Sequence, residues 1–195
     1  MMRGDRESGN IRDQHMTDTI DRVAQHHGPR SRGLVWEHNT RVGDARGTDM
    51  AQHGMVTVGQ LPRERHGPDH VSLVGFASHR GAVLAAAGWG QPEEVLRLPV
   101  ARQGSHEDLL HRALGHPAVL TFGDRRDAGW LTAPLGHRAV GVVYDPSREY
   151  TNYVPTRMGA RYDALIWFEQ SEALHALHHE ARPLEPELET EPSGF

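Results

Sequence analysis

Apolar and polar positions alternate along this chain in blocks that read as helix, then strand, then loop. Ile11, Met16, Ile20, Val23 and Ala24 recur at helical spacing with charges between them, and Gly28-Pro29 stops the pattern. Gly33-Leu34-Val35-Trp36 is a short apolar run that reads as a buried strand, followed by a polar, glycine-bearing loop over 39–54. A short helix is expected over Val58 to His66, and a strand over Val71 to Phe76. Gly81 to Ala87 reads as either a third strand or a short helix, because the run is too short to decide. Ser105 can cap a helix whose first residues, Glu107 and Asp108, suit the positive end of its dipole. Further strands are expected at Ala118 to Phe122, Arg138 to Tyr144 and Asp163 to Phe168. Beyond Glu180 repeated Pro and Glu with few apolar residues predict a disordered tail.

Strands alternating with helices predict an α/β fold with a largely parallel sheet and flanking helices. Three regions are expected: a polar lead over 1–9, the folded region over 10–180, and the tail over 181–195. In such sheets ligands gather beyond the carboxyl ends of the strands, so the residues just after each strand carry the candidate chemistry.

Composition narrows the chemistry. The 195 residues carry a net charge of −5, without the concentrated basic face of a nucleic-acid binder. Hydrophobic residues make up 37%, so the core is expected to be lean. There is no cysteine, which removes disulfides, zinc–cysteine sites and thiol catalysis. There is also no lysine, which removes Schiff-base chemistry; GC-rich codon usage is the plain explanation. No apolar run approaches a membrane span and no secretory signal opens the sequence, so a cytoplasmic location is expected.

The most informative stretch runs from Val35 to Arg46. His38 falls where a strand should give way to a polar loop, and its imidazole can accept and return a proton near neutrality. Glu37 could orient that ring, and Asn39 could donate to a developing oxyanion. The competing reading is that Glu-His-Asn only caps the strand and ties the loop. His79-Arg80-Gly81 is a second candidate loop, with Arg80 able to hold a carbonyl or carboxylate oxygen; a tight turn is the alternative. Tyr144, Tyr150, Asn152 and Tyr153 form an aromatic–polar patch that either walls a pocket or packs against the core.

Other motifs fail. No Ser sits in G-x-S-x-G. His106 and His111 resemble a zinc-protease pair but are one residue too far apart, and five helical steps turn about 140°. The cluster His175, His178 and His179 admits a metal or haem reading, but solvated histidines before a tail explain it as well. No metal and no cofactor is expected.

In order along the chain, several segments together resemble the erythromycin esterase family. They are Ile11-Arg12-Asp13-Gln14-His15-Met16, Trp36-Glu37-His38-Asn39 with Val42-Gly43-Asp44-Ala45-Arg46, and Val58-Gly59-Gln60. Gly75-Phe76 with His79-Arg80-Gly81, Gly104-Ser105-His106-Glu107 and Arg161-Tyr162-Asp163-Ala164-Leu165 complete the series. The resemblance covers about Asn10 to Leu177 and implies an α/β hydrolase, some of whose relatives open macrolide lactones and so confer antibiotic resistance. It implies metal-independent ester hydrolysis by histidine-activated water. His38 matches the catalytic motif; Glu37, Asn39, Arg41, His79 and Arg80 would contact the substrate. Arg41 stands where the family has a second histidine, and Arg is no base. The family's N-terminal half has no counterpart here, so an incomplete domain is expected, with a complementing N-terminal half or a second copy as partner. Neither nucleic acid nor membrane is an expected partner. The alternative is a non-catalytic remnant or binding module that keeps the fold.

Overall fold

In the computed structural model, residues 3–175 are described. The predicted tail, together with His178 and His179, lies outside them. Six helices and six strands carry the architecture among the described residues, joined by short 3-10 turns. The helices are α1 (Arg3–His27), α2 (Asn39–Val42), α3 (Gln60–His66), α4 (His106–Leu114), α5 (Gly129–Thr132) and α6 (Met158–Arg161). The strands are β1 (Val74–Ala86), β2 (Glu93–Leu98), β3 (Ala118–Thr121), β4 (Leu135–Arg138), β5 (Tyr153–Thr156) and β6 (Ala164–Ser171).

The main sheet has the order β2-β1-β6-β3, and β4 and β5 form a separate hairpin-like pair. The fold is α/β as expected, but the sheet is mixed. Only β1 and β6 run parallel; β2 and β3 are antiparallel to their neighbours. The cause is connection length. The chain between β1 and β2 is too short for a helical crossover, so β2 folds straight back on β1.

Gly81 to Ala87 is neither a separate strand nor a helix; it continues β1, which runs unbroken from Val74 to Ala86. The Gly33–Trp36 run forms no strand and lies open to solvent, with Leu34 87% and Trp36 77% exposed. It finds no neighbouring strand to pair with, and an apolar run alone does not make one. Residues 139–144 also stay outside regular pairing, apart from a bridge from Val143 to Ala86.

β1 and β6 divide their side chains between two faces. Ala77, Leu165 and Trp167 point into the main core with Leu73, Leu110, Phe122, Leu131, Met158 and Tyr162. A smaller core gathers Ala85, Leu98 and Tyr144. The other face carries Val74, Phe76, Phe168 and, on β3, Val119; Val119 is 68% exposed. There Trp36 lies against Phe76, which stacks on Phe168.

Helix α1 begins within the predicted polar lead and docks by an unexpected stripe. Asp13 and Thr17 are fully buried, while Ile11 and Val23 point outward. Asn10 bonds Gly54 O and accepts from Val56 N; Asp13 pairs with Arg41; Asp21 accepts from Arg65 and His66.

Candidate active site

The segment after Trp36 turns into α2, and each of its polar residues has a defined place. His38 is the N-cap of α2 and is exposed. Its Nδ1 accepts from Thr40 N at 3.3 Å and lies 2.8 Å from Thr40 Oγ1. That bond from a backbone N–H assigns the remaining ring proton to Nε2, which donates to Val140 O at 2.7 Å. The tautomer is therefore fixed, with the Nδ1 lone pair facing the Thr40 N–H and hydroxyl.

Asn39 uses its whole amide on β1: Nδ2 donates to Phe76 O at 2.5 Å and Oδ1 accepts from Phe76 N at 3.0 Å. It mimics a strand partner and fastens α2 to the sheet. Arg41 reaches back to α1, with Nη1 2.7 Å from Asp13 Oδ1. Burial pushes the Asp13 carboxyl up to about 6; Arg12 pulls it down and the Glu37 charge raises it further. The short Arg41 contact opposes that rise and favours the carboxylate at neutral pH. Glu37 is half-buried.

The glycines around this segment are set by close neighbours, Arg161 for Gly43 and the Val42 carbonyl for Gly59. A Cβ on Gly43 would lie 2.4 Å from Arg161 Nε, and one on Gly59 would lie 1.9 Å from Val42 O. Arg161 is buried and donates to Thr156 Oγ1 and to Asn39 O. Asp44 caps the next turn and meets Arg46 and Arg63, and Arg63 continues to Asp163, which also binds Arg126 and Leu73 N. Asp44, Arg46 and Asp163 of the Val42–Arg46 and Arg161–Leu165 motifs thus join Arg63 and Arg126 in a partly buried ion network beside the site segment.

Beside it lies an arrangement that sequence inspection did not single out. Glu107, in the first turn of α4, accepts from His137 Nδ1 at 2.6 Å and from Arg138 N at 2.9 Å, and both partners' side chains are almost wholly buried. Burial alone would raise the Glu107 carboxyl, but the His137 charge and these hydrogen bonds bring it down to about 2. His137 Nε2 then faces Tyr162 Oη at 3.5 Å, and that hydroxyl donates to Asn39 O at 3.4 Å. Burial holds the Tyr162 hydroxyl protonated, with its pKa at about 12. His106 donates through Nε2 to Thr156 O, and burial depresses its pKa. A carboxylate, an imidazole and a phenol therefore run in series from α4 to the backbone of α2. Glu107 alone looks like a helix-start charge, and nothing in the spacing pairs it with His137, 30 residues on.

His79 and Arg80 sit inside β1 rather than in a loop, so they point to opposite faces. Arg80 is exposed. His79 is buried, 6% exposed, and stacks on His111 of α4 with ring centres 3.8 Å apart. The site segment and His79 are thus held on different parts of β1. Of the aromatic patch, Tyr144 is buried and Tyr150 is exposed. Tyr153 Oη accepts from Arg102 N and Arg138, and its ring lies under Arg102.

A mixed sheet with an exposed histidine at the cap of α2, and a buried carboxylate–imidazole pair nearby, defines the protein as α/β in class. The erythromycin esterase family matches residues 1–171, and the chain belongs to that family. Three solved structures share the fold. A protein described as a succinoglycan biosynthesis protein is 15% identical, with a TM-score of 0.67 over 84% of this chain and 38% of its own. A Bacillus cereus protein is 16% identical, with a TM-score of 0.68 over 84% of this chain and 39% of its own. The erythromycin esterase EreC, as a His-to-Asn mutant in its open conformation, is 18% identical, with a TM-score of 0.57 over 83% and 37%. The chain thus spans under two fifths of the length of each of these proteins.

Proposed function

We propose that this chain is an ester hydrolase of the erythromycin-esterase type in which His38 activates water. The observation that carries the reading is the state of that ring. Its Nε2–H is tied to Val140 O, its Nδ1 lone pair meets only Thr40, the residue is exposed, and the chain is a family member. Replacing the Thr40 contacts with a water leaves Nδ1 to take the proton as oxygen attacks the ester carbonyl. The imidazolium that forms has an electrostatic counterweight in Glu37, next in sequence and half-buried. Arg41, with five N–H donors of which one faces Asp13, is the group suited to a developing oxyanion. His79 lies too deep in β1 to meet a substrate without movement. The substrate class is a carboxylic ester, a macrolide lactone being the candidate that the family name suggests. The partner proposed is the small-molecule ester, with a complementing half or a second copy covering the open sheet face.

A second reading, a binding module that keeps the fold without the chemistry, has one observation in its favour. Arg41 is spent on Asp13 and His38 has both ring nitrogens engaged. Turnover of an aryl ester and of a macrolide lactone by wild type and His38→Ala separates the two readings. Histidine-dependent turnover supports the first; a folded protein without turnover supports the second.

A further inference from the structure

His79 of β1, His111 of α4 and Glu169 of β6 meet on the covered side of the sheet. His79 and Glu169 are neighbours there because β1 and β6 are parallel and in register, with Ser78 opposite Phe168 and Arg80 opposite Gln170. Helix α4 lies over this pair and lowers His111 onto it. His106, five residues earlier, turns away to Thr156, so the two histidines of that helix serve different places. One donor atom from each of the three residues falls within 4.8 Å of the others, the one such group among the described residues.

Three of these atoms are buried without a hydrogen-bond partner: His79 Nδ1, His111 Nδ1 and Glu169 Oε2. His111 Nδ1 is 2.5 Å from Glu169 Oε1, close but without hydrogen-bond alignment. A buried polar atom left without a partner is costly to keep. His111 Nδ1 has only the Glu169 ion pair, and His79 Nδ1 and Glu169 Oε2 are left unsatisfied beside the stacked rings, a cluster that one shared ion would satisfy.

We propose that His79, His111 and Glu169 form a three-ligand site for a divalent transition-metal ion, Zn2+ being the best match. Two imidazoles and one carboxylate are a ligand set that zinc accepts, with a fourth position left for water. The same set with more open positions also holds other first-row metals. Tetrahedral zinc with bonds of about 2.0–2.1 Å needs its donors roughly 3.3 Å apart. To reach that geometry the half-exposed His111 ring turns out of its stack on His79 and the Glu169 side chain rotates, while His79 stays fixed. Arg138 Nη1 donates to His79 O and holds the strand backbone at this point. The site does not depend on the ester-hydrolase reading.

The test is titration of the metal-stripped full chain with Zn2+ by calorimetry, and with Co2+ by visible absorption. The expected result is one saturable ion per chain, with the d–d bands of a low-coordinate nitrogen and oxygen site. His111→Ala and Glu169→Gln, each folded by circular dichroism, should weaken binding beyond the roughly 10- to 100-fold that follows when a merely supporting group is lost. A variant with His175, His178 and His179 all changed to Ala should bind as wild type does. Absence of saturable binding by the wild type overturns the proposal. So does wild-type affinity in both site variants, or loss of binding in the triple variant.

Discussion

His38, Glu107 and Asn39 show how much one side chain can reveal alone. His38 was legible because its neighbours mark a change from apolar run to polar loop. Its tautomer was not legible, since that depends on Val140, 102 residues away. Glu107 was read only as a helix-start charge because its partner is set by the docking of α4 on β4. Removing that carboxylate by Glu107→Gln leaves His137 buried without its counter-charge. A loss of about 3–5 kcal/mol in urea unfolding is expected. The pH dependence has a definite sign. The Glu107 pKa falls from 4.5 to about 2 on folding. Its contribution is therefore complete above 4.5 and disappears as pH falls from there through about 2. The urea midpoint of the wild type should drop across that window, and Glu107→Gln should flatten the drop. An unchanged slope in the variant would remove Glu107 from the account. Asn39→Ala deletes both bonds to Phe76 and should cost about 1–3 kcal/mol, read from the same transition.

Among the elements, those with strong local signals appear where expected. Ser105 accepts from Asp108 N at the start of α4, and Gly28 ends α1 with a positive φ. β3 falls within the apolar run at 118–122, and β6 begins in the run at 163–168 and continues to Ser171. β2 and β5 escaped notice because their exposed, charged or proline-bearing sequences (EEVLRL and YVPT) carry little apolar pattern. Leu34 to Trp36 erred the other way: apolar enough for a strand, yet without a neighbour to complete one. Helix α1 appears where the spacing predicts one but begins earlier, at Arg3, and Ile11 and Val23 of the apolar pattern face outward. It docks by Asn10, Asp13 and Asp21 with no apolar anchor in the core clusters among the described residues, and exposed pairs such as Asp21 with Arg65 and His66 contribute little. Its amides should therefore exchange with deuterium faster than those of β1 and β6, and Arg41→Ala should speed them further. Equal protection of α1 and the sheet would mean that the helix is held by more than these contacts.

For the molecule as a whole, one sheet face is packed and the other carries Trp36, Phe76, Phe168 and Val119 in the open. An apolar patch on a sheet marks an interaction surface. Concentration-dependent association is the expected outcome of sedimentation velocity, and it should weaken in Trp36→Ser with Phe168→Ser; a wild-type monomer at every concentration would leave the face without an occupant. The α/β class was readable from alternation of elements, while strand direction was not, because direction depends on connection geometry rather than on the strands themselves. Family membership followed from ordered short motifs, most of which prove to be architectural: Gly43, Gly59, Asp44 and Arg161 shape the platform under His38. The central claim is that this platform presents a working base. It is tested most directly by the rate of aryl-ester hydrolysis at neutral pH for wild type and His38→Ala, with matched circular dichroism. The account predicts wild-type turnover above buffer that falls by about 10²–10⁴-fold, or to background, in the variant. Equal rates for the two proteins, or no turnover by a folded wild type, would contradict it.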